Sequence, residues 1–239
     1  MEFGVGDVAQ ISAELARVVE MMMSPGISQP QRLEMYNACE RFKESSPLCA
    51  QCGLYLAQKL PERSSVVRHF GLQLMEHCVK YRWTQISQSE KIFIKENAMK
   101  LLQEGTQPLL QEEAHIKDAL SRVVVEMIKR EWPQQWPTLL AELSQACTQG
   151  ESQTELVLLV FLRLVEDVAL LQTLESNQRR KDIYQALTTN MAEIFSFFLR
   201  LMEQHFSEFQ KKSALGQTSE AAAHSKVVQV SFYEKDACI

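Results

Sequence analysis

Apolar residues recur along this chain at intervals of three and four. Val8, Ile11, Leu15, Val18 and Met22 follow the rule, as do Val67, Phe70, Leu74 and Cys78. Ile116, Leu120, Val123 and Met127 repeat it, and so do Ile183, Leu187, Met191, Ile194, Phe198 and Leu201. Such spacing lines one side of an α-helix and leaves the other side polar. The pattern predicts helices at about 7–23, 29–44, 47–59, 63–82, 88–104, 112–131, 137–148, 152–173 and 179–210. No stretch alternates with period two for long enough to suggest a sheet.

The breaks between stripes are short. Ser24-Pro25-Gly26 ends the first helix, and Ser45-Ser46-Pro47 ends the second and opens the third. Pro61, Gly105 with Pro108, Pro133 with Pro137, and Gly150 mark the later breaks. Ser87 and Glu90 have capping-box spacing, in which the hydroxyl and the carboxylate satisfy free amides at a helix start. Taken pairwise, the helices make about four and a half hairpins, with second helices beginning near 29, 63, 112 and 152. That spacing is a loose match to HEAT and armadillo repeats, which recur at roughly 40–47 residues. The expected fold class is all-α: a right-handed superhelical solenoid of HEAT-type hairpins, each burying its apolar face on its neighbours. The segment 211–239 departs from the pattern. It opens polar and small, then reads Val227-Val228-Gln229-Val230-Ser231-Phe232-Tyr233, a run that favours strand if anything. With no partner for such a strand, the tail is expected to be poorly ordered.

Composition sharpens this picture only in places. Glycine (8) and proline (7) are scarce among 239 residues, as a helical chain requires. The formal net charge is −5, so no surface-wide attraction for a polyanion is expected, and any nucleic-acid contact needs a local basic patch. Six cysteines are spread thinly, unlike a disulfide framework. The opening residues lack a secretory pattern, and the longest apolar run, Leu156 to Leu162, is far short of a membrane span. Reduced thiols in the nucleus or cytosol are the expectation.

Candidate chemistry is sparse. Cys49 and Cys52 have the spacing of a zinc half-site, but no second pair follows and both fall on an apolar stripe, so they read as core thiols. His69 and His77 lack the i, i+4 zinc spacing and read as surface or interface residues. No phosphate-cradling glycine loop and no nucleophile elbow is present. An enzyme is not expected, and neither a cofactor nor a metal.

Two polar faces stand out instead. Asp118, Arg122, Glu126 and Arg130 are four apart with alternating sign, opposite the apolar stripe of their helix. They read as a solvated ladder of i, i+4 pairs, each worth about 0.2–0.5 kcal/mol, or as a docking surface on the inner wall of a solenoid. Arg68, His69, Gln73, Glu76 and Lys80 form a similar face on the helix around 68–80.

The most specific feature is Glu131-Trp132-Pro133-Gln134-Gln135-Trp136-Pro137. Each proline disfavours helix for the residue before it, so Trp132-Pro133 and Trp136-Pro137 dictate a sharp structural turn that the indoles can plug. This turn and the helix before it, "KDALSRVVVEMIKREWPQQWPTLL" (Lys117 to Leu140), resemble the exportin-type region of the importin-β/exportin superfamily of nuclear transport receptors. "VVRHFGLQLMEHCVKYRW" (Val66 to Trp83) resembles a second-repeat helix of that superfamily, and "GESQTELVLLVFLRLVEDV" (Gly150 to Val168) continues the likeness. Within the superfamily the branch that exports short hairpin RNA precursors is the best match. The resemblance covers about residues 7–210.

The resemblance implies a division into importin-β-type Ran-binding repeats over 1–108, the start of an exportin-type region over 109–210, and an atypical tail over 211–239. It implies Ran in its GTP form as partner, the GTP being held by Ran and not by this chain. For the full-length relative it implies structured RNA cargo (pre-microRNA, also tRNA), contact with nucleoporins, no membrane, and shuttling between nucleus and cytoplasm. By position, Ran would meet the second helix of each pair at Arg32, Arg41, Arg68, Gln73, Glu76, Lys80, Asp118, Arg122, Glu126 and Lys129. Family members are several-fold longer, and Ser225 to Ile239 resembles nothing in them. The alternative is therefore a truncated, non-transporting binding module or a competitor of the full-length receptor.

Overall fold

A computed structural model describes residues 7–170 and 176–237. The described residues form eleven α-helices and one short π-helical segment, with no strand among them. The helices are α1 (Val8–Met22), α2 (Gln29–Ser45), α3 (Cys49–Ala57), α4 (Ser65–Arg82), α5 (Gln88–Glu104) and α6 (Ala114–Glu131). They continue with α7 (Leu139–Cys147), α8 (Glu151–Val165), α9 (Asn177–Thr189), α10 (Met191–Ala214) and α11 (Thr218–Ala237). The π-helical segment, Glu166–Leu170, extends α8. The first eight expected helices are all present within a few residues; the part of the eighth expectation at 171–173 lies outside the described residues.

The caps explain the boundaries. The Asp7 carboxylate accepts from the Gln10 amide at 2.8 Å at the start of α1. At α5 the expected box is formed: the Ser87 hydroxyl accepts from the Glu90 amide at 3.2 Å, and the Glu90 carboxylate accepts from the Ser87 amide at 3.1 Å. Each arrangement satisfies amides that have no partner within the helix.

The chain divides into two compact units. One holds the chain through Thr106 together with Glu113–Val123; the other holds Gln107–Glu112 and the chain from Val124 onward. In the first unit the tightest packing is α3 on α4, where two glycines face each other. A Cβ on Gly71 would lie 2.5 Å from the Ala57 nitrogen and 2.6 Å from the Gly53 carbonyl oxygen, so only glycine admits this backbone-to-backbone approach. Cys49 and Cys52 are fully buried free thiols here, as their apolar stripe required.

In the second unit α8 forms the centre. Phe161 on α8 meets Phe198 on α10 edge-on at 5.2 Å and Phe197 at 6.3 Å. Two expectations need correction in this unit. The helix expected over 179–210 is two helices. They are broken at Asn190, whose side-chain amide donates to the Ala186 carbonyl at 2.8 Å and caps α9. Short polar side chains compete with the helical ladder in this way.

The tail, expected to be poorly ordered, carries α11 through Ala237. Ala221, His224 and Val227 are buried, and α11 packs on both α8 and α10. The valine run has a local strand preference, but burial on an existing helical face overrides it. The hairpin turn is a Schellman motif: Gln217 N–H donates to Lys212 O at 2.9 Å, Gly216 N–H donates to Ser213 O at 3.1 Å, and Gly216 has φ 71°. The fifth hairpin therefore has both its helices, and Phe198 is covered by Phe161 of α8. Phe195 and Phe206 do stay exposed.

Candidate docking surface on the second helices

The residues expected to meet a partner do not share one environment. Arg32 and Arg41 are exposed on α2, where the Arg32 guanidinium donates to the Ser24 carbonyl at 3.3 Å. Gln73 and Lys80 are exposed on α4. Arg68 is a correction: it is 5% exposed, and its guanidinium donates to the carbonyl of Gly105 at 3.0 Å. Gly105 is the C-cap of α5, and Lys59 donates to the next carbonyl, that of Thr106, at 2.8 Å. Two cations thus satisfy the carbonyl end of α5, where the helix dipole is negative. Arg68 is drawn inward by that end and is not presented to a partner.

Glu76, Asp118 and Arg122 are brought together in the first unit. The Arg122 guanidinium donates to the Glu76 carboxylate at 3.0 Å and also to the Asp118 carboxylate. Beside them His69 stacks on His115, with ring centroids 5.1 Å apart. Burial, and then the charge of His115 and of Arg122, lowers the pKa of His69. The imidazole therefore stays neutral to lower pH than a free histidine. Sequence spacing could not foresee this cluster, because its members come from α4 and α6.

The histidine stack opens on a cleft of about 350 Å³. Its floor is Val19, Met22, Cys39 and Phe70, and its rim includes Tyr36, Gln73, Lys43 and Glu40. Met23 and Tyr36, at its mouth, are 64% and 53% exposed. An apolar floor with a mixed-charge rim suits a protein surface and not a small polar substrate. Among the described residues no group of three or more His, Cys, Asp or Glu gathers to hold a metal ion. None of the described helices is long and apolar enough to cross a membrane.

Glu126 and Lys129 belong to the second unit and form their own network. Glu126, 7% exposed, pairs with Lys129 and, at 2.6 Å, with Arg130; Lys129 also reaches Asp167 at 2.8 Å. This corrects the reading of a solvated ladder: the i, i+4 pairs Asp118–Arg122 and Glu126–Arg130 exist, but Glu126 is buried. The reason lies in the rest of α6, where Lys117 and Ser121 are also buried and the apolar stripe occupies most of the circumference.

The tryptophan turn is built as its sequence dictates. Trp132 and Trp136 are each 2% exposed, the Trp132–Pro133 peptide is cis, and the Trp136 indole donates to the Glu142 carboxylate at 3.2 Å. Sequence reasoning missed its clamp. Arg179, from the first turn of α9, donates to the carbonyls of Lys129 and Trp132 and, at 2.6 Å, to the side chain of Gln134.

With that architecture in view, the similarities to known proteins are decisive. The importin-β N-terminal domain model matches residues 36–104, and the exportin 1-like model matches residues 113–230. The chain is 50% identical over 221 residues to exportin-5 of Homo sapiens, covering 92% of this chain and 18% of that protein. It belongs to the importin-β/exportin superfamily of nuclear transport receptors.

Other members of the superfamily match as well. Exportin-5 of Mus musculus is 48% identical over 225 residues, and HASTY 1 of Arabidopsis thaliana is 27% identical over 179. The chain spans about 18% of the length of the exportin-5 relatives it matches. The all-α architecture, without a strand among the described residues, agrees with the HEAT-like helical repeats of this superfamily. The exportin-type match runs to residue 230, so it takes in most of α11. That corrects the reading that nothing from Ser225 onward resembles the family.

Proposed function

We propose that this exportin-family chain docks the GTP form of Ran on the second-helix faces of its first unit. The observation that carries this reading is the joining of Glu76, Asp118 and Arg122 into one charged cluster, beside the cleft floored by Phe70 and Val19. Pre-paired charges lose little side-chain entropy on docking, and an apolar cleft beside them supplies desolvation energy. The exposed contacts in this proposal are Arg32, Arg41, Gln73 and Lys80; Glu126 and Lys129 form a separate network and Arg68 a structural cap. Within a full-length receptor, the same surface would serve export of double-stranded hairpin RNA precursors between nucleus and cytoplasm, with nucleoporin contacts elsewhere on the molecule. Neither a cofactor nor catalysis enters the reading.

The test is retention of the chain on immobilised Ran loaded with a non-hydrolysable GTP analogue or with GDP. The GTP-analogue form is expected to retain it at least tenfold more strongly. Equal retention on both, or none on either, overturns the proposal.

A further inference from the structure

Two buried imidazoles face each other where α11 docks. His205 on α10 and His224 on α11 are 4% and 7% exposed, and their Nδ1 atoms lie 2.9 Å apart. A hydrogen bond of that length between two Nδ1 atoms requires one to carry the proton and the other to accept it. On its far side His224 presents Nε2 to the Glu151 carboxylate of α8 at 3.4 Å. The contact therefore joins all three helices of this corner, and α11 holds no other imidazole.

The pair has three protonation states. With one Nδ1 proton it is bonded and neutral. A first added proton can be carried without breaking the bond, because Nε2 of His224 faces Glu151. A second added proton is not accommodated. Both Nδ1 atoms are then donors aimed at each other across 2.9 Å, in a site closed to water. The other charges facing this corner do not change that count. On α10, Glu208 is paired with Lys211, and Lys212 is paired with Glu220 of α11. On α8, Glu155 is paired with Lys226 of α11.

We propose that the His205–His224 contact is a proton-sensitive latch that holds α11 on α8 and α10 and releases it on acidification. Release would expose Val227 and Ala221 and uncover the α8 face. Burial first, then His224, lowers the pKa of His205. The sign follows: the closed state excludes a proton that the open state takes up, so closure is complete above the ordinary histidine pKa and weakens as pH falls below it. A site that excludes one proton loses about tenfold in its closing equilibrium one unit below an ordinary pKa of about 6.5.

Amide hydrogen exchange on the full chain tests the latch, read as protection factors for α11 at pH 7.5 and 5.5. A drop of about tenfold confined to α10 and α11, with α7 unchanged, is expected. In H205Q and H224Q, which keep a hydrogen-bonding group but remove the facing imidazole, that drop should disappear. Unchanged α11 protection in the native chain overturns the proposal. So does an equal drop in both variants, which would assign the effect to Glu151, Glu155 or Glu220. Should the variants lose structure, the imidazole C2–H titrations of the native chain decide. Two full titrations in the ordinary range with α11 still protected would exclude a latch.

Discussion

The guanidinium of Arg179 donates to the carbonyl oxygen of Trp132, and so ties the first turn of α9 to the tryptophan-proline turn after α6. The same side chain reaches Lys129 O twice, at 3.1 and 3.2 Å. These are the last carbonyls of a helix whose ladder the proline interrupts, and a cation is suited to satisfy them. Arg179→Ala should cost about 1.5–3 kcal/mol in chemical denaturation of the second unit, the range for lost hydrogen bonds to a charged donor. Arg179→Lys should recover only part, since an ammonium cannot span two carbonyls in the guanidinium's fork. An unchanged midpoint for Arg179→Ala would remove the clamp from this account.

The crossing of α3 and α4 makes a sharper prediction. The atoms a Gly71 Cβ would strike are the backbone of Gly53, Leu56 and Ala57, which cannot rotate away. Gly71→Ala should destabilise the first unit by about 3 kcal/mol or more. Gly26→Ala, with nothing within 4 Å of its Cβ, should stay within about 0.5 kcal/mol. Thermal melts of the two variants, compared side by side, check the contrast.

Arg68 and Lys80 were alike in the sequence and should behave oppositely in solution. Arg68→Ala should lower the stability of the first unit by about 1.5–3 kcal/mol, because the C-terminal carbonyl of α5 loses its buried cation. Lys80→Ala should leave stability within about 0.5 kcal/mol. The double variant Arg41→Glu/Lys80→Glu should weaken binding to the GTP-analogue form of Ran about tenfold, with the melt unchanged. Loss of binding in Arg68→Ala without loss of stability would return Arg68 to the docking face.

The stacked histidines give a pH dependence of known sign. The pKa of His69 is lowered by burial, then by His115 and Arg122, with Asp118 and Glu76 opposing. A group depressed in the folded state contributes stability that is present above its unfolded value of about 6.5 and is lost as pH falls through its folded value. The stability of the first unit should therefore decline from pH 7 towards pH 5. In His115→Ala the His69 resonance should titrate at higher pH than in the native chain. A shift in the other direction would contradict the stacking.

Much of this was legible in the residues. Leu15, Val18, Leu74, Val123 and Ile183 all lie where the 3–4 spacing placed them, because a helix has one repeat and an apolar stripe has one stable destination. Ser87 with Glu90 and the Trp-Pro steps were readable because caps and prolines act within a few residues. The Leu215-Gly216 helix stop, with Lys211 and Lys212 in the turn before it, was also written locally. The strand preference of Val227, Val228 and Val230 is equally local, but it gives way to the packing of α11 on α8 and α10.

The sequence alone determined the first eight helices, their order, the family and the position of the tryptophan turn. All of these follow from chemistry between residues a few positions apart, or from a pattern shared with relatives. Only the tertiary structure decided which polar residues would be surface and which would be joints. Arg68 and Gln73 lie on the same helix, yet one caps α5 from inside and the other stays exposed, because the burial of a charge depends on which distant carbonyl it meets. The same holds for Glu76 with Arg122, Arg179 with Trp132, and His205 with His224. Each pair is separated by at least 19 positions, and no local periodicity encodes its meeting.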